Sequence, residues 1–365
     1  MTLVNETTHI QVPKNPKKPG GRSLPSRGLE ALLTNRVVLL AVLIVVVLVV
    51  MTILDSAGQL SGAYNADYLA SSLISAVPLA MLGMAQLLVI LSGKGGIDLS
   101  VGSIVSLTGI LFGLAYGPGG WDFVPALILA VVAGGVFGAI NGVLIAYIGF
   151  PPLIATLATY YAYRSLALVI SNQKPVSSES IQNFYSAAQS VEIPVIGATI
   201  PLIPLGIFTF LIPTVIVVWV VLNKTTFGRR LYAIGTNDVA AEWSGINVRP
   251  NRMAVYAISG VIAGLVSVVT VAQFASARPD AGTSGNGMAL PAITIAVLGG
   301  VAITGGIGRV SGIVLATLLI VWLNAGILLA LPGNDGSQFQ LLALGLVLVF
   351  ASLLNGLTKR KYGGI

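Results

Sequence analysis

The chain has 365 residues, of which 55% are hydrophobic and 8% are charged, and its mean hydropathy is +0.93. This composition is typical of an integral membrane protein and excludes an ordinary soluble domain. The net charge of +7 does not indicate a nucleic-acid-binding surface, because the basic residues form short clusters beside apolar segments. There is no cysteine and only one histidine, His9, so the chain lacks a disulfide framework, a thiolate metal site and a cysteine nucleophile.

Residues 1–36 are polar and basic, contain several prolines and have no apolar period. We expect them to form a disordered tail in the cytoplasm. The first apolar segment, 37–54, is too long for the usual core of a signal peptide and follows a long polar lead. It is therefore predicted to remain as a transmembrane helix.

Nine further apolar segments are close to the length of about 20 residues that crosses a bilayer. They are 68–91, 99–116, 123–147, 153–171, 204–222, 252–273, 288–305, 310–331 and 339–355. We therefore predict an all-α, multi-pass protein of the cell (inner or plasma) membrane, with about ten transmembrane helices within residues 37–356. An even number of helices returns the basic C-terminal tail, 357–365, to the cytoplasm.

The basic residues test this topology. With ten helices, all but three of the nineteen lysines and arginines lie on the cytoplasmic side, as the positive-inside rule requires. The exceptions are Lys174 and Arg278 outside and Arg164 within a segment. Arg164 is expected to meet a polar partner inside the bundle, or else to extend toward the interface.

The polar interval 223–251 lies between two apolar segments and is basic, which predicts a cytoplasmic loop. Asn237 is a good N-cap, Asp238 and Glu242 complement a helix N-terminus, and Gly245 is a natural C-terminal stop. These residues predict a helix of about two turns. Val239, Trp243 and Ile246 would form an apolar stripe suited to a partner's groove. The alternative is an ordinary loop with Trp243 as an interfacial anchor.

On the external side, the interval 172–203 is too long for a simple turn, so it is expected to form a structured cap or partner platform rather than a passive connector. Within the membrane, Gly134, Gly135, Gly138 and Gly142 recur at three- and four-residue spacing on one predicted helix, together with Asn141, and should allow close approach of a neighbouring helix. Glycine-rich breaks follow two other segments, at 92–103 and 298–309. Such breaks are tolerated only where protein or a wet cavity surrounds them.

Asp98, in the first of these breaks, is predicted to cap the helix that follows it; the alternative is a role on the transport path. Other polar residues could contact a hydroxylated solute or equally form interhelical hydrogen bonds. The candidate path residues are Gln86, Gly96, Asp98, Ser100, Asn141, Thr156 and Asn324, with Thr159 beside them. No phosphate-binding loop, metal-ligand spacing or acid pair is apparent, so energy for uphill transport would have to come from a partner.

Several sequence blocks together resemble the permease subunits of ribose/galactose-type ABC importers, over roughly residues 65–355. The blocks are 96–103 (GIDLSVGS), 154–157 (IATL) with Arg164, 227–235 (FGRRLYAIG), 244–247 (SGIN), 297–300 (VLGG) and 305–309 (GGIGR). Relative to that family's pattern, Gly93-Lys94-Gly95 adds residues before the first block.

The resemblance implies a non-catalytic permease that works with a second permease copy, identical or different. It also implies a cytosolic ABC ATPase that binds ATP and Mg²⁺, and an extracytoplasmic solute-binding protein. The chain itself would bind no cofactor or metal and no nucleic acid. The coupling helix of the family maps to Asp238–Gly245, and the expected ATPase-coupling residues are Arg229, Arg230, Asp238, Val239, Ala241, Glu242, Trp243 and Gly245. The alternatives are an ATP-independent ion-coupled carrier or facilitator, and a membrane-embedded enzyme.

Overall fold

The computed structural model describes residues 35–188, 190–191, 201–284 and 287–362. Almost all of the secondary structure in these residues is helical, which confirms the all-α class. The helices are α1 (Arg36–Ser56), α2 (Ala66–Leu91), α3 (Val101–Tyr116), α4 (Phe123–Ala146), α5 (Pro152–Ile170), α6 (Glu179–Ala187), α7 (Ile212–Lys224, preceded by a π-helical turn at Ile207–Leu211), α8 (Thr226–Thr236), α9 (Asp238–Trp243), α10 (Val248–Phe274), α11 (Ala289–Leu298), α12 (Val310–Ala330) and α13 (Asn334–Tyr362). Two short antiparallel strands, β1 (Ser190–Val191) and β2 (Ile203–Pro204), pair with each other.

Within the described residues, eight helical segments are long and apolar enough to cross a membrane. The chain is thus a polytopic membrane protein. The other two predicted spans correspond to shorter apolar helices, α3 and α11. The prediction for 288–305 was too long: α11 has 10 residues, which rise about 15 Å, half of the hydrocarbon thickness. It ends there because Gly299 and Gly300 follow, and Gly300 has a positive φ of 89°.

The C-terminal prediction also needs correction. The apolar segment 339–355 lies within a longer helix, α13, which continues to Tyr362. Residues 357–362, expected to be tail, are therefore helical, since leucine, lysine and arginine favour helix. Of the predicted N-terminal tail, residues 1–34 lie outside the described part.

The loops of the bundle collect at two ends. At one end, which we call the basic end, the α2–α3 turn meets α8 and the α11–α12 loop: the Gly306 amide donates to the Leu91 carbonyl at 3.1 Å, and the Tyr232 hydroxyl donates to the Gly308 carbonyl at 2.8 Å. At the opposite end, Val176 pairs with Ala277. The number of membrane passes and the orientation of the two ends in the membrane stay predictions.

The core of the bundle is the contact between α4 and α10, the most extensive helix pair. A Cβ atom at Gly134 would collide with the Gly260 carbonyl, and one at Gly138 with the Tyr256 carbonyl. Glycine is required at these points because the two backbones touch. The predicted close-packing face on α4 is confirmed.

The predicted external segment is ordered where the structure describes it. In α6, Ile181 is fully buried, and Phe184 packs in an aromatic cluster with Phe112, Tyr116 and Phe123. This part of the chain is therefore structured and packed on the bundle, while its role as an external cap stays a prediction. Residues 189 and 192–200 lie outside the described part, and the role as a partner platform stays a prediction.

Candidate functional site

The short polar helix predicted in the central loop is present as α9. The Asn237 side-chain oxygen accepts the Ala240 amide at 3.0 Å, and Asp238 lies in the first turn. Beyond Trp243 the chain turns away at Gly245, whose φ is 81°. The cap, the acidic first turn and the glycine stop all lie where the sequence predicted them.

The faces of α9 differ from the prediction in two places. Val239 and Trp243 are exposed, Trp243 by 88%, and Glu242 is exposed beside them. Ala241, however, is buried against Ile234 and Val248 and cannot contact a partner. Ile246 also packs toward this cluster, because α9 ends at Trp243 and Gly245 reverses the chain. The exposed apolar surface is therefore the pair Val239 and Trp243.

Asp238 likewise points into the protein rather than toward solvent, with 21% of its side chain exposed. Its Oδ2 atom lies 2.9 Å from Lys94 Nζ and 3.6 Å from Arg252 Nη2. Partial burial by itself raises the pKa of Asp238, but the hydrogen bond from Lys94 and the charges of Lys94 and Arg252 outweigh it and hold the pKa below its ordinary value.

The helix before α9 supports it and displays two of the predicted basic residues. In α8, Leu231, Ile234 and Gly235 are buried, whereas Arg229 and Arg230 are exposed. A Cβ atom at Gly235 would collide with the Leu91 carbonyl, so α8 lies directly on the end of α2. The two arginines thus form a fixed basic edge next to α9.

The second part of the site is a buried turn around Asp98, between α2 and α3. Asp98 Oδ1 accepts the Ser100 amide at 2.9 Å and the Ser100 hydroxyl at 2.6 Å. The Ser259 hydroxyl, on α10, donates to Asp98 Oδ2 at 3.2 Å. Asp98 therefore binds the amide of Ser100, the residue before α3, instead of capping the first amides of the helix itself, and it also ties α10 to the turn.

Four other predicted path residues belong to the same network. The Gln86 side chain brackets the Asp98 peptide, donating to its carbonyl at 2.6 Å and accepting its amide at 3.3 Å. Asn141 donates to the Ser100 hydroxyl at 2.7 Å, and the Thr156 hydroxyl lies 3.3 Å from the Ile97 carbonyl. At Gly96 a side chain would collide with the Val89 carbonyl.

All the side chains of this network are fully buried, so in this conformation they hold the turn and do not face an open path. Thr159 bonds only to the backbone of its own helix. Asn324 lies on α12 apart from the network, and its carbonyl accepts Gln340. Contact of any of these residues with a solute stays a prediction.

Two features of the site escaped the sequence prediction. In the sequence, Ser259 is one of many small residues in an apolar segment, and Arg252 resembles a charge that only orients the chain in the membrane. The one signal is the spacing of Gly260 and Gly264, which indicates that α10 packs closely against another helix. For Arg164 the structure shows no polar partner inside the bundle: its side chain is exposed on α5, and none of the ion pairs among the described residues includes it. The alternative, extension toward the membrane interface, stays a prediction.

A cavity of about 1150 Å³ lies between α2, α7, α10 and the opposite end of the bundle. Its lining is mainly apolar, with a few polar residues such as Thr209 and Gln273, and none of the predicted path residues lines it. This cavity is therefore unlike a site built for a hydroxylated solute.

Comparison with known proteins agrees with the family resemblance. A family model described as "Branched-chain amino acid transport system / permease component" matches residues 68–352. The chain is 34% identical to the D-allose transport system permease protein AlsC of Escherichia coli (strain K12) over 282 residues, which cover 77% of this chain and 80% of that protein. It is 36% identical to the ribose import permease protein RbsC of Bacillus subtilis (strain 168) over 72% of this chain and 76% of that protein.

The autoinducer 2 import system permease protein LsrD of Enterobacter sp. (strain 638) is 34% identical over 75% of this chain and 81% of its own length. No solved structure matches the chain. The family match covers most of the membrane bundle, including α9 and the Asp98 turn. The chain therefore belongs to this family of transport-system permease components, as a membrane-embedded, non-catalytic subunit.

Proposed function

We propose that the chain is the permease subunit of a binding-protein-dependent ABC importer for a monosaccharide-like solute. The solute would be ribose or another pentose, a hexose, a deoxysugar, a polyol or an autoinducer sugar. The names of the relatives support this class, because they give allose, ribose and autoinducer 2 as the solutes of those proteins. The family description names branched-chain amino acids, whereas these relatives, at 34–36% identity, are named for sugars and autoinducer 2.

The partners of this proposal are a cytosolic ABC ATPase, a second permease copy and an extracytoplasmic solute-binding protein. The ATPase would bind ATP and Mg²⁺, and this chain would bind neither. The single observation that carries the proposal is the α9 helix, which presents Trp243 with 88% of its surface exposed next to Val239. An exposed tryptophan on a rigid, capped helix is suited to a protein groove, where aromatic side chains contribute much of the binding energy.

We expect Arg229, Arg230 and Glu242 to form the polar rim of this docking surface and Gly245 to end it. Closure of the ATPase pair would then move α9 and rock the two permeases between outward-facing and inward-facing states. The path residues around Asp98 would contact the solute only in a state where the buried turn opens.

The docking proposal predicts that Trp243→Asp reduces the amount of ATPase that co-purifies with the permease by about tenfold or more, because a charge replaces the central apolar contact. Trp121→Asp is a matched control, since Trp121 is also an exposed tryptophan (50%) but precedes α4 at the opposite end. We expect the control to retain the ATPase.

Equal recovery of the ATPase with both variants would contradict the docking surface. Solute uptake into vesicles that contain this chain alone and no ATP would contradict the importer as a whole and support an ion-coupled carrier instead.

A further inference from the structure

The ion pairs at the base of α9 connect three separate elements. Asp238 begins α9, Arg252 lies in the first turns of α10, and Lys94 lies in the α2–α3 turn. Both cations approach the same oxygen, Asp238 Oδ2, at 2.9 Å from Lys94 and 3.6 Å from Arg252. No other acidic residue forms an ion pair with either cation within the described residues.

Arg252 is the buried member of this group, with 6% of its surface exposed. Its Nη2 atom also donates to the Ser92 carbonyl at 3.2 Å, at the C-terminal end of α2. A buried guanidinium is stable only when an opposite charge and hydrogen-bond acceptors surround it. Asp238 and Ser92 supply these, so α9, α10 and α2 are held together at one point.

Lys94 joins the same point from a turn of unusual backbone conformation. Its φ is 53°, between 77° at Gly93 and 65° at Gly95, and a Cβ at Gly93 would lie 3.1 Å from Gly235. A left-handed backbone is costly for a lysine. The Lys94 side chain is 64% exposed, so its ion pair adds little to stability. The ion pair instead fixes the position of the α2–α3 turn relative to Asp238.

Both elements that hold Asp238 also hold the buried Asp98 carboxylate. The turn runs from Lys94 to Asp98 in four residues, and α10 runs from Arg252 to Ser259 in two helical turns, about 10 Å. Ser259 and Ser100 then bond to the two oxygens of Asp98. A displacement of Asp238 would thus reach Asp98 by two short, rigid routes.

We propose that Asp238 is a positioning residue, not a docking residue: through Lys94 and Arg252 it connects α9 to the turn and helix that hold Asp98. Movement of α9 then moves the α2–α3 turn and α10 together. This inference rests on the proposed function, because the movement is supplied by a docked ATPase.

The test uses the reconstituted importer with its ATPase and solute-binding protein, and measures solute molecules transported per ATP hydrolysed. We expect Asp238→Asn and Lys94→Gln to keep the ATPase bound but to lower this ratio about fivefold or more, the range of ordinary coupling between sites. Lys94→Arg keeps the charge and should restore the ratio. Arg249→Gln removes an exposed cation at the second residue of α10; it is the matched control and should leave the ratio unchanged.

An unchanged ratio in Lys94→Gln, with the ATPase bound, would overturn the inference and leave the proposed function intact. Loss of the ATPase from Asp238→Asn would also overturn it, because Asp238 would then be a docking residue. If the unaltered chain binds no ATPase, the proposed function itself fails. Lys94→Gln keeps the test decisive if Asp238→Asn does not fold, since Lys94 is exposed.

Discussion

A buried arginine requires an opposite charge, and at Arg252 the structure provides it with Asp238 from another helix. The same carboxylate receives Lys94, so one side chain satisfies two cations. At the scale of single residues, the ends of α9 are thus specialised: Asp238 faces the bundle and Trp243 faces outward. Charge pairing with Lys94 and Arg252 explains the first.

This pairing has a testable dependence on pH. The pKa of Asp238 lies below its ordinary value of 3.8, so the ionised form is favoured in the folded state. A depressed pKa contributes stability that is present above the unfolded-state value and is lost as the pH falls through the folded-state value. The contribution should therefore be constant at neutral pH and disappear only below 3.8.

We expect Asp238→Asn to lower the free energy of unfolding of the purified permease by about 3 kcal/mol at neutral pH, because the buried Arg252 guanidinium would lose the opposite charge that compensates it. The difference from the unaltered chain should begin to shrink as the pH falls below 3.8 and should vanish below the lowered folded-state pKa, where both proteins carry an uncharged side chain. Glu242→Gln, an exposed carboxylate on the same helix, is the control and should change little. A difference that grows in acid would contradict the ion pair.

At the scale of elements, the α4–α10 contact organises the molecule, because it places Asn141 and Ser259 on either side of the Asp98 turn. This contact depends on backbones that touch at glycines. A side chain at Gly138 would force α4 away from α10, since its Cβ would meet the Tyr256 carbonyl.

Gly138→Ala should therefore destabilise the protein by about 1–3 kcal/mol, as overpacking does in other well-packed cores. Gly345→Ala is the matched control: Gly345 also lies inside a helix, α13, but nothing is within 4 Å of its would-be Cβ. Thermal unfolding in detergent should show a lower midpoint for Gly138→Ala and little change for the control. Similar midpoints for the two variants would mean that α4 can shift without cost.

Helix α11 shows that hydropathy along the sequence does not predict the length of a helix. The segment 288–305 is apolar throughout, but α11 stops at Leu298 and the chain continues as a glycine-rich loop that packs against α2 and α8. Amino-acid composition shows that this loop is apolar but does not show that it is non-helical. The close approach of Gly305 to Gly93, which holds that loop against the α2–α3 turn, is a tertiary contact.

For the whole molecule, the function depends on which end faces the cytoplasm. The basic end contains Lys94, Arg249 and Arg309, and the positive-inside rule places it in the cytoplasm. The absence of cysteine allows single-cysteine labelling of the intact protein without background. The substitutions Arg249→Cys and Lys174→Cys mark exposed positions at the two ends.

In intact cells, a membrane-impermeant thiol reagent should label Lys174→Cys, and it should label Arg249→Cys only after the membrane is opened. The reason is that the two positions lie on opposite sides of the bilayer in the predicted topology. The reverse pattern would place α9 outside, where no cytosolic ATPase could reach it, and would contradict the coupling proposal.

From the sequence alone, the membrane class, most helix positions, the α9 caps and the close-packing face of α4 were determined. Each depends on local composition, capping chemistry or helical period, which short segments carry by themselves. The family blocks added the permease assignment, since they recur in order along the chain.

Only the tertiary structure decided which side chains meet. It turned Asp238, Ala241 and Ile246 inward, joined Asp238 to Lys94 and Arg252, brought Ser259 to Asp98, and left Arg164 exposed and Asn324 apart. These contacts join residues up to 161 positions apart, and no local pattern encodes which partner a buried charge or hydroxyl will find. The helical period shows on which face of its own helix a residue lies; packing of the whole bundle determines what lies opposite that face.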